Sequence, residues 1–159
     1  MHSIAGNVIL VQATRADAFD LARLRCASLV EMGLLAERNR ASFERCASAE
    51  IFDLFTQERI VAWLLVENGV PRGCACAIFW HRLPYLQGSL HAEIAGVYVE
   101  PLMRRRGYAT EMVREVLNAA LARGTRKITL SPTEIGRSIY ERLGFRERAQ
   151  MEYAARSGP

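Results

Sequence analysis

The sequence has no apolar run approaching the roughly 18 residues that cross a bilayer. Its opening stretch, MHSIAGNVILVQA, lacks the basic start and longer apolar run of a secretory leader. The expected location is therefore the cytoplasm, with no membrane partner. Its glycines nowhere form G-x-G-x-x-G, and no Gly-Lys-Ser/Thr occurs, so the dinucleotide fingerprint and the P-loop are both missing. Cys26, Cys46, Cys74 and Cys76 give no C-x-x-C pair and no Cys/His zinc spacing, so no metal is expected. Cys74 and Cys76 alternate within an apolar run, where free cysteine packs as a small hydrophobe. Low-complexity segments and internal repeats are also absent, which excludes solenoids and disordered linkers.

What is present is ordinary globular material. The chain has 159 residues, of which 50% are hydrophobic and 24% charged, enough to bury a core without disulfides or a structural metal. One domain over 1–159 is expected, with its core over about 7–155. The net charge of +4 is unevenly placed: Pro101 to Leu130 holds seven Lys or Arg against two acids, and the remainder is nearly neutral. A nucleic-acid binder would spread its basic residues over a wide face, so no nucleic-acid partner is expected.

Hydrophobic spacing gives the element order. NVILVQA reads as a strand. A helix follows with Phe19, Leu21, Leu24, Ala27 and Leu29 or Val30 on its apolar face. A second helix is expected from about Ser42 to Gln57, using Phe43, Cys46, Ala47, Ile51, Leu54 and Phe55. Two apolar runs around Glu67-Asn68-Gly69 make a hairpin, since Asn-Gly suits a tight turn. HRLPYLQGS is a loop. LHAEIAGVYVEP is a strand ended by Pro101, and its interior Gly96 marks either a bulge or a close approach of another backbone or ligand.

YATEMVREVLNAALARG then gives an apolar stripe of Ala109, Met112, Val113, Val116, Leu117 and Ala120, closed by Gly124. RKITL is a buried strand. In SPTE, Ser131 is placed to cap a helix, with Pro132 in its first turn and Glu134 reaching back. Gly144 ends that helix, and a final strand or strands run from Phe145 to about Tyr153. The order describes an α/β sheet in which an antiparallel meander leads into a strand–helix–strand crossover.

RRRGYAT, Arg104 to Thr110, lies between a strand and a helix. A turn that opens a helix offers backbone N–H groups without partners at the positive end of the helix dipole, which suits an anion such as pyrophosphate. On its own, R-x-x-G-x-A is equally a solvated basic turn. The context narrows the choice: AGVYVEP, RRRGYA, a long helix, and then KITLSPTEIGRSIYERLGF resemble the GNAT superfamily of acetyl-CoA-dependent N-acetyltransferases. The likeness is specific over Glu93 to Phe145, and the N-terminal element order fits as well. Ala109 stands where the family often has glycine, and Thr133 where it often has asparagine.

The resemblance implies a mixed, mostly antiparallel central sheet with flanking helices and a splayed strand pair forming the acyl-CoA cleft. It implies acetyl-CoA as cosubstrate and a small-molecule or peptide amine as acceptor, acetylated directly in a ternary complex. A non-catalytic acyl-CoA sensor on the same fold is the alternative, and a homodimer is compatible with the family. By position, the backbone of Arg105, Arg106, Gly107, Tyr108, Ala109 and Thr110 would hold pyrophosphate, with Arg104 the signature arginine. Val97, Tyr98 and Val99 would pair with pantetheine and polarise the thioester, and Thr133 and Gly136 would flank the ligand.

Tyr140 is the expected proton donor to the leaving thiolate, since a phenol near pKa 10 is close to a thiol near 8.5. Thr133, Gly136 and Tyr140 fall on one helical stripe, with Ile135, Ile139 and Leu143 on another that faces the core. Glu93 is favoured to take the proton from the amine, with His91 or a chain of waters left open. His91 and His81 read equally well as surface residues. The acceptor pocket is expected to draw on Met32 to Leu35, Trp80 to Tyr85 and Tyr98, and Glu31 or Glu37 could meet a cationic acceptor.

Overall fold

The computed structural model describes residues 2–5, 7–83 and 90–148. Its strands are β1 (His2–Ala5), β2 (Val8–Gln12), β3 (Ile60–Glu67), β4 (Val70–His81), β5 (Leu90–Val99) and β6 (Lys127–Thr129). Its helices are α1 (Ala18–Glu31), α2 (Arg40–Thr56), α3 (Tyr108–Ala122) and α4 (Arg137–Arg142). The strands form one sheet in the order β1-β2-β3-β4-β5-β6, antiparallel throughout except for the parallel β5–β6 pair. The expected mixed, mostly antiparallel sheet is what the chain builds. Among the described residues, no helix is long and apolar enough to cross a membrane.

The β3–β4 hairpin turns at Asn68 and Gly69, with φ of 49° and 79°; two successive left-handed residues match the right-handed twist of the strands they join. Alternation along the strands then sorts side chains to two faces. Val61, Trp63, Leu65, Ala75, Ala77, Phe79, Ala92 and Ile94 pack against Met112, Val113, Val116 and Ala120 of α3. Ala62, Leu64 and Cys74 lie on the opposite face with Leu21 and Leu24 of α1, while Ile51 and Phe55 of α2 pack at its margin. α3 carries the expected stripe, and Gly124 closes it at φ 82°.

Several expectations are corrected. β1 was not anticipated; its few residues pair with β2 but are too short to show a period. Phe19 is 55% exposed, because the buried side of α1 runs through Ala18, Leu21, Ala22, Leu24 and Cys26. Cys46 is exposed, and no residue of α2 is fully buried, so that helix covers the α1 layer without entering the core. α4 begins at Arg137, several residues later than SPTE suggests. The hydroxyl and carbonyl of Thr133 both accept the Gly136 N–H, making a turn in place of the Ser131 cap. Ile135 therefore sits in that turn, 93% exposed and away from the core. Phe145 to Arg148 carry no strand, and the rest of the expected final strand lies outside the described residues, as do Pro84 to Ser89 of the expected loop.

Candidate active site

The site starts from a fault in the β4–β5 ladder. Cys76 pairs with Ala95, but Cys74 pairs with Tyr98, so β5 carries one residue more than β4 across that interval. Gly96 absorbs it at φ 63°, and a Cβ there would lie 3.2 Å from Cys76 Sγ. A one-residue insertion reverses the side-chain alternation: Ala92 and Ile94 face α3 before the bulge, Val97 and Val99 after it. The bulge expected at Gly96 is present, and the two cysteines opposite it hold it. Cys74 Sγ donates to Gly96 O at 3.1 Å, and Cys76 Sγ to Ala95 O at 3.0 Å. Burial pushes both thiols up, Cys76 to about 11, so they remain protonated donors. A local reading of C-A-C shows the packing of these cysteines but not that bond.

β5 also outruns its parallel neighbour. Pairing with β6 ends at Glu93↔Thr129, while β5 continues to Val99. Glu100 N–H donates to Arg72 O on the β4 side. By the two-residue period of a strand, the polar groups of Val99 face away from β4, onto the unpaired edge. A sheet that splits in this way leaves the Val99 N–H without a strand partner and able to pair with an extended ligand, while the Val99 carbonyl is taken by Arg104.

At the end of that edge lies the arginine turn. Gly107, at φ 83°, precedes α3, and its carbonyl accepts the Glu111 N–H at 3.2 Å. The N–H groups of Tyr108, Ala109 and Thr110 thus have no carbonyl within the helix to meet, and no side chain caps them. A Cβ on Gly107 would meet nothing within 4 Å, so the glycine is required for its backbone angle and leaves open space above the turn. Arg105 also lies in the left-handed region, at φ 65°. The arginine side chains divide. Arg104 folds back along the chain while staying exposed, its Nε donating to Val99 O at 2.7 Å and its Nη2 to Glu31 at 2.7 Å. Arg105 and Arg106 are exposed, and Arg106 makes a long 3.4 Å bond to Leu102 O.

α4 presents Tyr140 on the α3 side of the sheet. The turn before α4 brings Thr133, Gly136 and Tyr140 together despite the late helix start: a Cβ on Gly136 would lie 3.2 Å from Thr133 Oγ1 and 3.3 Å from Tyr140 Cε2. Tyr140 is half-buried against the α3-side core and meets Phe145 edge-on at 6.1 Å. Burial raises its phenol above the usual range, and the hydroxyl has no partner among the described residues.

Glu93 and His91 share the opposite face of β5, as regular pairing to Ile78 and Trp80 requires. Glu93 is exposed and unpaired among the described residues. His91 is buried, tilted against Trp80 at 6.2 Å; burial first, then Arg82 and Lys127, hold it below its ordinary pKa. Its reading as a surface residue is corrected: Trp80 covers it. The structure does not place Glu93 beside Tyr140; β5 lies between their faces.

On the acceptor side, Met32 and Leu34 are exposed after α1, Trp80 is half-buried, and Tyr98 lies over the α1 layer; Tyr85 lies outside the described residues. Glu31 is engaged by Arg104 and Tyr98, both on Oε2, and Glu37 by Arg40. Among the described residues no cluster of His, Cys, Asp and Glu could hold a metal ion.

A model of the acetyltransferase (GNAT) family matches residues 30–145. No curated protein matches the chain in sequence. A solved structure of a predicted acetyltransferase with acetyl-CoA from Clostridium acetobutylicum has a TM-score of 0.83 at 22% identity, covering 93% of this chain and 96% of that one. A GCN5-related N-acetyltransferase from Ralstonia eutropha has a TM-score of 0.82 at 19% identity, over 94% of this chain and 99% of its own. An aminoglycoside N-acetyltransferase in complex with CoA has a TM-score of 0.72 at 17% identity, over 99% of this chain and 100% of its own. At these identities the likeness concerns the fold.

Proposed function

Because the chain belongs to the GNAT acetyltransferase family, we propose that it is an N-acetyltransferase carrying an acetyl group from acetyl-CoA directly to a primary amine of a small molecule or peptide. One observation carries the reading: the β5 edge past the end of β6, with the Val99 N–H free of a strand partner, leads into a helix start whose first N–H groups have no helical partner. That continuity suits a ligand with a thin amide-bearing arm and a pyrophosphate, which is the chemistry of coenzyme A. Two of the structural neighbours are complexes with acetyl-CoA or CoA.

In this reading the backbone of Arg105 to Thr110 holds the pyrophosphate, and Arg105 and Arg106 add positive charge at the positive helix end. Val97 to Val99 pair with the pantetheine arm, and a backbone N–H there polarises the thioester carbonyl, a contribution of about 3 kcal/mol to the barrier. Gly136 keeps the ligand's path clear beside Thr133. Acetyl-CoA supplies an acyl group that needs no covalent enzyme intermediate; this chain's part is to align it with a neutral amine. Glu93 removes the amine proton, directly or through water. Tyr140 gives its Oη proton to the departing sulfur. Base and acid lie on opposite faces of β5, so each serves a different atom: the amine nitrogen during attack, and the sulfur as the tetrahedral intermediate collapses.

The test follows CoA thiol release with acetyl-CoA and a panel of polyamines, amino acids, aminoglycosides and peptide N-termini. The reading expects release dependent on at least one amine. Tight acetyl-CoA binding with no amine-dependent release across the panel would instead favour a sensor on the same fold.

A further inference from the structure

Glu31 is an awkward residue for the helix that carries it. It ends α1, where the dipole disfavours a carboxylate, and the last turn of α1 holds no basic side chain to offset it. Its partners come from elsewhere in the chain. Arg104 Nη2 donates to Glu31 Oε2 at 2.7 Å, and the Tyr98 hydroxyl donates to the same oxygen at 3.2 Å. The Arg104 guanidinium also lies 5.6 Å from the centre of the Tyr98 ring, while its Nε holds Val99 O at 2.7 Å. One carboxylate thus fixes the arginine that joins the open edge of β5 to the turn before α3.

That turn needs holding. Arg105, the next residue, has φ 65°, and a non-glycine residue in the left-handed region costs about 1–3 kcal/mol, which surrounding interactions must offset. On the far side the turn is anchored by α3, whose Tyr108, Met112 and Val113 are buried. On the near side, the backbone is anchored by buried Met103, whose N–H meets Glu100 O at 2.9 Å, and by the Arg104 N–H to Pro101 O at 3.2 Å, while the Arg104 side chain is held by the clamp on Glu31 and Val99.

We propose that Glu31 is a positioning residue: acting through Arg104, it sets the Arg104–Gly107 turn and the Val99 edge in the arrangement that receives coenzyme A. It touches neither coenzyme nor acceptor. The inference rests on the N-acetyltransferase reading. Both partners are well exposed, with side-chain accessibilities of 39% for Arg104 and 44% for Glu31. Exposed pairs contribute little to global stability. Loss of the clamp should therefore appear in ligand affinity before it appears in folding, which separates positioning from a merely structural role.

The experiment compares the full-length protein with Glu31→Gln, Glu31→Ala, Arg104→Ala and the Glu31→Ala/Arg104→Ala pair. It records the Kd for coenzyme A by calorimetry, KM for acetyl-CoA, kcat at saturation, and Tm. The Glu31 variants should raise Kd and KM about three- to tenfold, the range of a charge-assisted bond partly screened by water. kcat should be unchanged, Tm should move by less than about 3 °C, and the double variant should be no worse than Arg104→Ala. Unchanged Kd in both Glu31 variants overturns the proposal, as does a Tm loss that accounts for the weakened binding, or additive effects in the double variant. Failure of the unmodified protein to bind coenzyme A overturns the underlying reading, and the proposal with it; binding that is indifferent to Glu31 overturns the proposal alone.

Discussion

Tyr140→Phe removes one hydroxyl that has no partner among the described residues. Packing against Phe145 and the α3-side core should survive. If that hydroxyl donates the proton to sulfur, kcat falls about 10²- to 10⁴-fold while the Kd for coenzyme A stays unchanged; equal turnover in a steady-state assay would refute the role. Gly107 gives the complementary prediction. At φ 83° a side chain is strained even though space is open around it, so Gly107→Val should cost about 1–2 kcal/mol in urea unfolding. It should weaken coenzyme binding more than it weakens folding. Both residues are legible in the sequence, Gly107 from its place between a strand and a helical stripe, Tyr140 from its spacing to Gly136. Glu31 stood out in the sequence as an acid that could meet a cationic acceptor, and its pairing with Arg104 was hidden because the two are 73 residues apart.

At the scale of elements, the sequence shows periodic ones well and contacts between strands poorly. The stripe of α3 is dense enough to place the helix nearly to its ends. α4 misled because S-P-T-E satisfies a local capping pattern, whereas Thr133 bonds the Gly136 N–H and delays the helix. The β5 bulge was marked by Gly96, but its support by Cys74 and Cys76 depends on which carbonyls lie opposite, and no local pattern encodes that. The bulge makes a chemical prediction. Brief alkylation of the folded protein, read by mass spectrometry, should label exposed Cys46. Cys74 and Cys76 should stay unlabelled until the protein unfolds, since burial keeps both thiols protonated. Rapid labelling of either would mean that the β4–β5 ladder opens at the bulge.

For the whole molecule, buried or paired groups shape the response to acid, His91 at mild pH and Glu31, with Glu37 beside Arg40, at lower pH. His91 has its folded pKa held below the unfolded value near 6.5, so between those values the unfolded chain binds the extra proton. Stability should be full above about pH 6.5 and decline as pH falls through that window. Glu31 is also held below its usual value, first by the Arg104 hydrogen bond, so a second, smaller loss should follow below about pH 4.5. Urea unfolding across pH 4 to 8 reads both, and His91→Gln should flatten the upper decline; an unaltered profile would contradict the buried neutral imidazole.

The central claim is that the open β5 edge and the start of α3 form one coenzyme site. Residue-resolved amide hydrogen exchange, with and without coenzyme A, tests it most directly. The account predicts that coenzyme A slows exchange at Val99, Tyr108, Ala109 and Thr110 and leaves the β2–β3 ladder unchanged. Saturating coenzyme A binding with no protection at those four amides would contradict it.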